Sequence, residues 1–306
     1  MDQTVTKDDC CTASETRDDN YDLIVVGAGS AGFSASITAA DAGKRVALIG
    51  HGTTGGTCVN VGCVPSKAMI RAAEAVHGGA SAARFPGVEP CDHAVDWGAV
   101  VQGTTDLVEE MRHKKYIDLL PAYKSVTYIE DGPARLVEGG VAVGGRVISA
   151  PRVLIATGSR PHLPAIEGID TVEPLDSTDL LTLPDRPESI LVLGGGYIGC
   201  ELAQMASRLG VKVTLVTRSR LLPGAEPEVA QALTQALKAE DIAVETGLAY
   251  VSVAKAAGGV NLIVERGGKT EDLTAERLVV TTGRIANSEN LGLEELGIET
   301  DARGSI

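Results

Sequence analysis

Apolar residues along the chain gather in short runs of strand length. Glycine-rich turns and stretches of helical spacing separate these runs. LIVV at 23–26 leads into a glycine turn, a helix-length run of small residues, and a second apolar run, RVALIG, ending at residue 50. The same order returns over 189–217 as SILVL, GGGYIG, CELAQMASRLGV and KVTLVT, with nearly the same lengths. PSKAMIRAAEAVH at 65–77 reads as a helix, and TTDLVEEMRHKKYIDLL at 104–120 as a surface helix. Residues 124–149 alternate as short strands around glycine turns, which predicts a small antiparallel sheet inserted in the first domain. Two further strands, RVLI and LVV, end in ATGSRP at 156–161 and TTGR at 281–284, expected crossings between two domains. The pattern is that of an α/β chain with one unit used twice.

Each unit carries G-x-G-x-x-G between strand and helix: Gly27, Gly29 and Gly32, then Gly194, Gly196 and Gly199. The first glycine permits a tight turn, the second lets backbone approach a pyrophosphate, and the third lets the helix pack closely on the strand. The helix N-terminus then offers free N–H groups and partial positive charge to phosphates. The full strand–turn–helix–strand context separates these motifs from an ordinary glycine-rich loop. Two Rossmann-like units imply two dinucleotides, a flavin dinucleotide and a nicotinamide dinucleotide. The acidic residue expected about twenty residues on, to bind the adenosine ribose, is missing from both. Gly50 and His51 stand there in the first unit, Arg218 and Arg220 in the second. Guanidinium groups suit a 2′-phosphate, which favours NADPH over NADH.

Composition fits this architecture. The 306 residues suffice for two domains, and with aromatics at 3% the aliphatic residues must fill the interior. A formal charge of −14 argues against a nucleic-acid partner. No apolar run approaches the roughly 18–20 residues of a membrane span. Residues 1–20 lack the basic start and apolar centre of a secretory signal and read as a mobile acidic tail. The expected location is the cytoplasm.

The stretch GGTCVNVGCVPSK at 55–67 holds the candidate chemistry, with Cys58 and Cys63 five positions apart. Such a pair can be a structural disulfide, half of a zinc site, or a redox couple. A structural zinc wants four ligands, and no second pair stands at suitable spacing. A reducing cytoplasm disfavours a purely structural disulfide. A redox couple needs a field that favours thiolate, and Cys63 before a helix with Lys67 one turn on has one. The redox reading is therefore preferred. Cys91 and Cys200 are expected to be inert, and the five histidines form no ligand spacing.

The same thirteen residues, beside two dinucleotide motifs in this order, resemble the active-site segment of the pyridine nucleotide–disulfide oxidoreductases. The resemblance runs from about residue 21 to the end. Within that family, MIRAAEAVH, MRHKKY and the arginines of RSR are most similar to the mercuric reductases. The alternatives are dithiol–disulfide reductases of the dihydrolipoamide dehydrogenase or glutathione reductase type, and a nucleotide-binding fragment without activity. The resemblance implies a relay in which NADPH reduces FAD, and FAD reduces the Cys58–Cys63 disulfide. The reduced pair would then bind Hg(II), arriving as a thiol complex, and reduction by the flavin would release Hg(0). Cys63 would be the thiolate nearer the flavin and Cys58 the attacking sulfur. Lys67 and Glu201 resemble the ion pair beside the flavin ring, and Tyr197 the aromatic covering the nicotinamide pocket. FAD contacts are expected from Gly27, Gly29, Ser30, Gly32, Gly56, Thr57, Lys67, Ala134, Thr157, Gly158, Gly283 and Arg284. NADPH contacts are expected from Gly194, Gly196, Tyr197, Ile198, Gly199, Glu201, Arg218 and Arg220. Cys10 and Cys11 could capture mercury and pass it inward.

The resemblance also implies a domain plan. Residues 21–180 form the FAD-binding domain, 181–282 the NAD(P)H-binding domain inserted into it, and 283–306 the start of the return. Family members continue with a second flavin-binding segment and an interface domain that makes a homodimer. The sequence ends at GIETDARGSI, before either, so truncation is the expectation.

Overall fold

The computed structural model describes residues 20–306, so most of the acidic tail, with Cys10 and Cys11, lies outside the described residues. The chain opens with β1 (Leu23–Val26), α1 (Ser30–Asp41) and β2 (Val46–Ile49). All four residues of β2 are buried, as a parallel strand covered on both faces requires. The cysteine segment follows as a single turn, α2 (Gly56–Asn60), and a long helix, α3 (Cys63–Ala80). Then come α4 (Trp97–Arg112), β3 (Val126–Ile129), β4 (Arg135–Val137), β5 (Gly140–Val143), β6 (Arg146–Ser149) and β7 (Val153–Ile155). The first sheet is parallel, in the order β3-β2-β1-β7, while β4-β5-β6 form a separate antiparallel sheet.

Two expectations change here. Only part of 124–149 is antiparallel: Val126 pairs with Val46 and Ile129 with Ile49, which makes β3 the fourth parallel strand. The helix predicted over 104–120 begins at Trp97, where the Asp96 side chain accepts from the Ala99 N–H. It leaves α-geometry at His113, in a π-turn over His113–Ile117. Trp97, Val101, Thr104 and Val108 give it a buried face.

The crossing to the second unit passes β8 (Ser159–Pro161) and α5 (Ser177–Leu181). Leu175 already bonds to Leu278, so pairing with the second sheet starts a few residues before the expected boundary at 181. That sheet repeats the first. It comprises β9 (Ser189–Leu193), α6 (Tyr197–Arg208), β10 (Lys212–Val216), α7 (Pro227–Ala239) and β11 (Ala243–Glu245). Three antiparallel strands follow, β12 (Ala249–Ala256), β13 (Gly259–Arg266) and β14 (Lys269–Ala275), and the pattern of apolar runs had not announced them. β15 (Arg277–Val280) completes the parallel order β11-β10-β9-β15. The return strand, β16 (Arg284–Ala286), pairs antiparallel with β8, so the two crossings lie side by side.

Met69 and Ala73 of α3 and Trp97 and Val101 of α4 share one core with Ile190, Val192, Leu202 and Met205 of the second unit. The helix begun by Cys63 is thereby packed between the two units. Among the described residues, no helix is long and apolar enough to cross a membrane.

Candidate functional site

The first glycine turn leaves almost no room for side chains. Gly27 has φ +118°, and a Cβ there would lie 2.2 Å from the Ala156 carbonyl oxygen. A Cβ on Gly32 would lie 1.8 Å from the Gly27 carbonyl oxygen, so Gly32 serves helix packing below the turn. Gly29 bridges to Gly55, and a Cβ on Gly56 would come within 2.6 Å of the Gly29 Cα. The nucleotide turn and the start of the cysteine segment therefore touch backbone to backbone.

Above this turn lies a cleft of about 720 Å³, within the range of ligand sites. Of the residues expected to hold FAD, Gly27, Gly29, Ser30, Gly56, Thr57, Ala134, Thr157, Gly158 and Arg284 line it. Gly32, Lys67 and Gly283 do not. Arg284 lines the cleft, and its guanidinium donates to the hydroxyl (2.8 Å) and carbonyl of Ser159 and ties β16 to β8. Cys58 borders the cleft at one end, and Gly50, Thr54 and Tyr128 also line it. A cradle of bare backbone at a helix N-terminus fits a dinucleotide pyrophosphate.

Sequence reasoning missed several residues here. Tyr128 accompanies Gly50 from β3, a strand placed in the wrong sheet by its alternation. Asn287 lines the cleft and donates to the Thr157 carbonyl at 3.0 Å. Asn60 holds the cysteine loop closed by donating to the Thr54 and Gly56 carbonyls, both at 2.9 Å, and Arg112 reaches it from α4 at 3.2 Å. No local pattern marks any of these four.

Cys58 and Cys63 are exposed thiols, Cys58 in α2 and Cys63 as the first residue of α3. A hydrogen bond to Cys63, with burial and the neighbouring sulfur's charge, raises the Cys58 thiol above its ordinary range. Lys115 on the π-turn pulls the other way. One turn along α3, the Lys67 Nζ donates to Glu201 Oε2 at 2.6 Å and joins the cysteine helix to α6 of the second unit. Among the other cysteines, Cys91 is exposed. Cys200 is buried and pushed up to about 11 by burial, with the Glu201 charge adding.

The second turn repeats the first. Gly194 has φ +113°, and a Cβ on Gly199 would lie 1.9 Å from the Gly194 carbonyl oxygen. Gly196 differs: a Cβ there would meet nothing within 4 Å, which leaves space for a pyrophosphate. Tyr197 opens α6 with 71% of its surface exposed, and Ile198 beside it is also exposed. The two arginines divide their work. Arg220 donates to the carbonyls of Pro223 (3.1 Å) and Ala225 (2.6 Å) and so shapes its own loop. Arg218 is exposed at the strand end.

Comparison with known proteins agrees with this geometry. The family model described as pyridine nucleotide-disulphide oxidoreductase matches residues 21–306. A mercuric reductase of Streptomyces lividans is 40% identical, over 94% of this chain and 61% of its own length. One from Bacillus cereus is 42% identical, over 94% of this chain and 45% of its own. Among solved structures, the Cu(II) complex of the HOCl-induced flavoprotein disulfide reductase RclA from Escherichia coli superposes with a TM-score of 0.79 at 27% identity. It covers 93% of this chain and 61% of its own. The chain thus spans about half to three-fifths of the length of these relatives.

Proposed function

The chain belongs to the pyridine nucleotide–disulphide oxidoreductase family, and we propose that it forms the nucleotide-binding units of a flavoprotein that reduces Hg(II) to Hg(0) with NADPH. The observation that carries this reading is the position of the cysteine segment. Cys58 borders the cleft of the first unit, while the helix begun by Cys63 is bound through Lys67 to Glu201 of the second. FAD in the first cleft and NADPH on the second turn would supply the two electrons that reduce the pair.

The chain's own residues do the rest. Backbone N–H groups at the starts of α1 and α6 hold the pyrophosphates. Arg218 takes the 2′-phosphate as a charge-assisted partner, and so selects NADPH. Tyr197 shields the nicotinamide site, and the Lys67–Glu201 pair holds a positive charge near the cysteines. Cys63, the first residue of α3, takes the part of the thiolate nearer the flavin that the family resemblance implies. Cys58 is the sulfur that exchanges with incoming ligands. When Hg(II) arrives bound to two thiolates, each cysteine sulfur forms one Hg–S bond. The thiolate displaced by Cys58 takes the proton that Cys58 releases, while the one displaced by Cys63, already a thiolate, leaves as an anion. Soft thiolates hold Hg(II) against oxygen and nitrogen ligands. A second pair of electrons, which FAD and NADPH would also supply, would break both Hg–S bonds, free Hg(0) and return two thiolates.

The test is to supply the chain with FAD and follow NADPH oxidation with Hg(II)–cysteine, lipoamide or oxidised glutathione. The turnover of the chain, expected to be small, should be with Hg(II) and release volatile mercury, and Cys58→Ser and Cys63→Ser should each abolish it. Turnover of either organic disulfide without Hg(II) reduction would overturn the substrate assignment.

A further inference from the structure

The first nucleotide unit lacks the ribose carboxylate, and the space such a side chain would occupy is filled from elsewhere. A Cβ on Gly50 would lie 2.3 Å from Tyr128 Oη and 2.8 Å from two of its ring carbons. The register that sets Leu48 opposite Tyr128 and Ile49 opposite Ile129 brings this ring to the end of β2. Tyr128, Gly50, His51 and Thr54 all line the same cleft.

The phenol is held in one orientation. Tyr128 Oη donates its proton to Glu130 Oε1 at 2.9 Å. Thr54 Oγ1, at 2.8 Å, must then donate to Tyr128 rather than accept from it. That leaves acceptor capacity on the phenol oxygen for a third partner. The oxygen stays protonated near neutral pH. Burial foremost, with the Glu130 bond and charge adding and the Thr54 bond opposing, pushes it up to about 12.

We propose that Tyr128, braced by Glu130 and Thr54, accepts the ribose hydroxyl of the adenosine in the first site and replaces the missing carboxylate from the neighbouring strand. The Glu130 charge polarises the phenol, so the acceptor keeps some of the anionic character a direct carboxylate would have. Gly50 follows from this arrangement, because any side chain there would displace the ring. The inference rests on the flavin reading above.

Two ligands and one conservative variant test it. FAD, and an FAD analogue whose adenosine is 2′,3′-dideoxy, are titrated by calorimetry into the parent chain and into Tyr128→Phe. Thermal unfolding of each chain without ligand is recorded alongside. The parent should bind FAD about threefold to tenfold more tightly than the analogue, the range of one neutral hydrogen bond. Tyr128→Phe should lose that preference, bind the analogue like the parent, and unfold only a few degrees lower, as the loss of its bonds to Glu130 and Thr54 requires. A parent that binds both ligands equally, or a variant that keeps its preference or weakens both alike, would overturn the proposal while sparing the flavin reading. A parent that binds neither ligand would overturn both.

Discussion

Arg218 and Arg220 stand two positions apart in one loop, yet their surroundings differ. Arg220 satisfies two backbone carbonyls within its own turn, while Arg218 is exposed at the strand end. Arg218→Ala should therefore weaken NADPH binding roughly tenfold or more, the range of a lost charge-assisted bond, and leave NADH almost unchanged. Arg220→Ala should weaken both nucleotides alike and lower thermal stability, because it loosens the loop. Affinities for the two nucleotides measured on both variants check this, and equal loss of NADPH selectivity in the two would refute the division. Tyr128 teaches the same lesson at the other site. A residue's chemistry is set by which of its bonds are already taken.

At the scale of the element, the strand–turn–helix unit uses its glycines for two physical purposes that one motif conceals. Gly199 lies where a Cβ would overlap the Gly194 carbonyl oxygen and crowd the Thr281 hydroxyl at 2.6 Å, so α6 can pack on β9 only without a side chain there. Gly196 has open space and an extended backbone that alanine can adopt. Gly199→Ala should lower the unfolding temperature by several degrees, as an overpacked core position costing about 1–3 kcal/mol does. Gly196→Ala should shift that temperature by about 2 °C at most while weakening NADPH binding severalfold. Thermal unfolding with and without nucleotide separates the two effects, and matching losses of stability would show the packing argument to be wrong. The π-turn after α4 is another element-scale device, since it carries Lys115 towards Cys58 and buries Tyr116 against Phe33.

The whole molecule is joined through α3 and α4 rather than through the chain crossings alone. Met69 is fully buried in the core shared with the second sheet. Trp97, the sole tryptophan, is buried in the same core and donates to the Leu183 carbonyl at 2.8 Å. Tryptophan fluorescence therefore reports on the junction, and far-UV circular dichroism on the total secondary structure. The two denaturant transitions should coincide in the parent. Met69→Ala should shift both together by about 2–5 kcal/mol, the usual cost of a large-to-small change in a tight core. Separate transitions would mean that the two units unfold independently.

Much of this design is local and was legible in the chain itself. Strand-length apolar runs, the two glycine motifs and the Cys58–Cys63 segment each state their chemistry within a few consecutive residues. Backbone sterics and helix geometry act at that range. The sequence alone thus determined the α/β class, the doubled strand–turn–helix unit, and nine of the residues that line the first cleft. Only the tertiary structure decided that β3 joins the parallel sheet, that Arg220 spends itself on its own loop, and that Tyr128 fills the space beside Gly50. Strand partners and hydrogen-bond partners far apart in the chain depend on which surfaces meet, and the periodicity of a single strand carries no record of its neighbour.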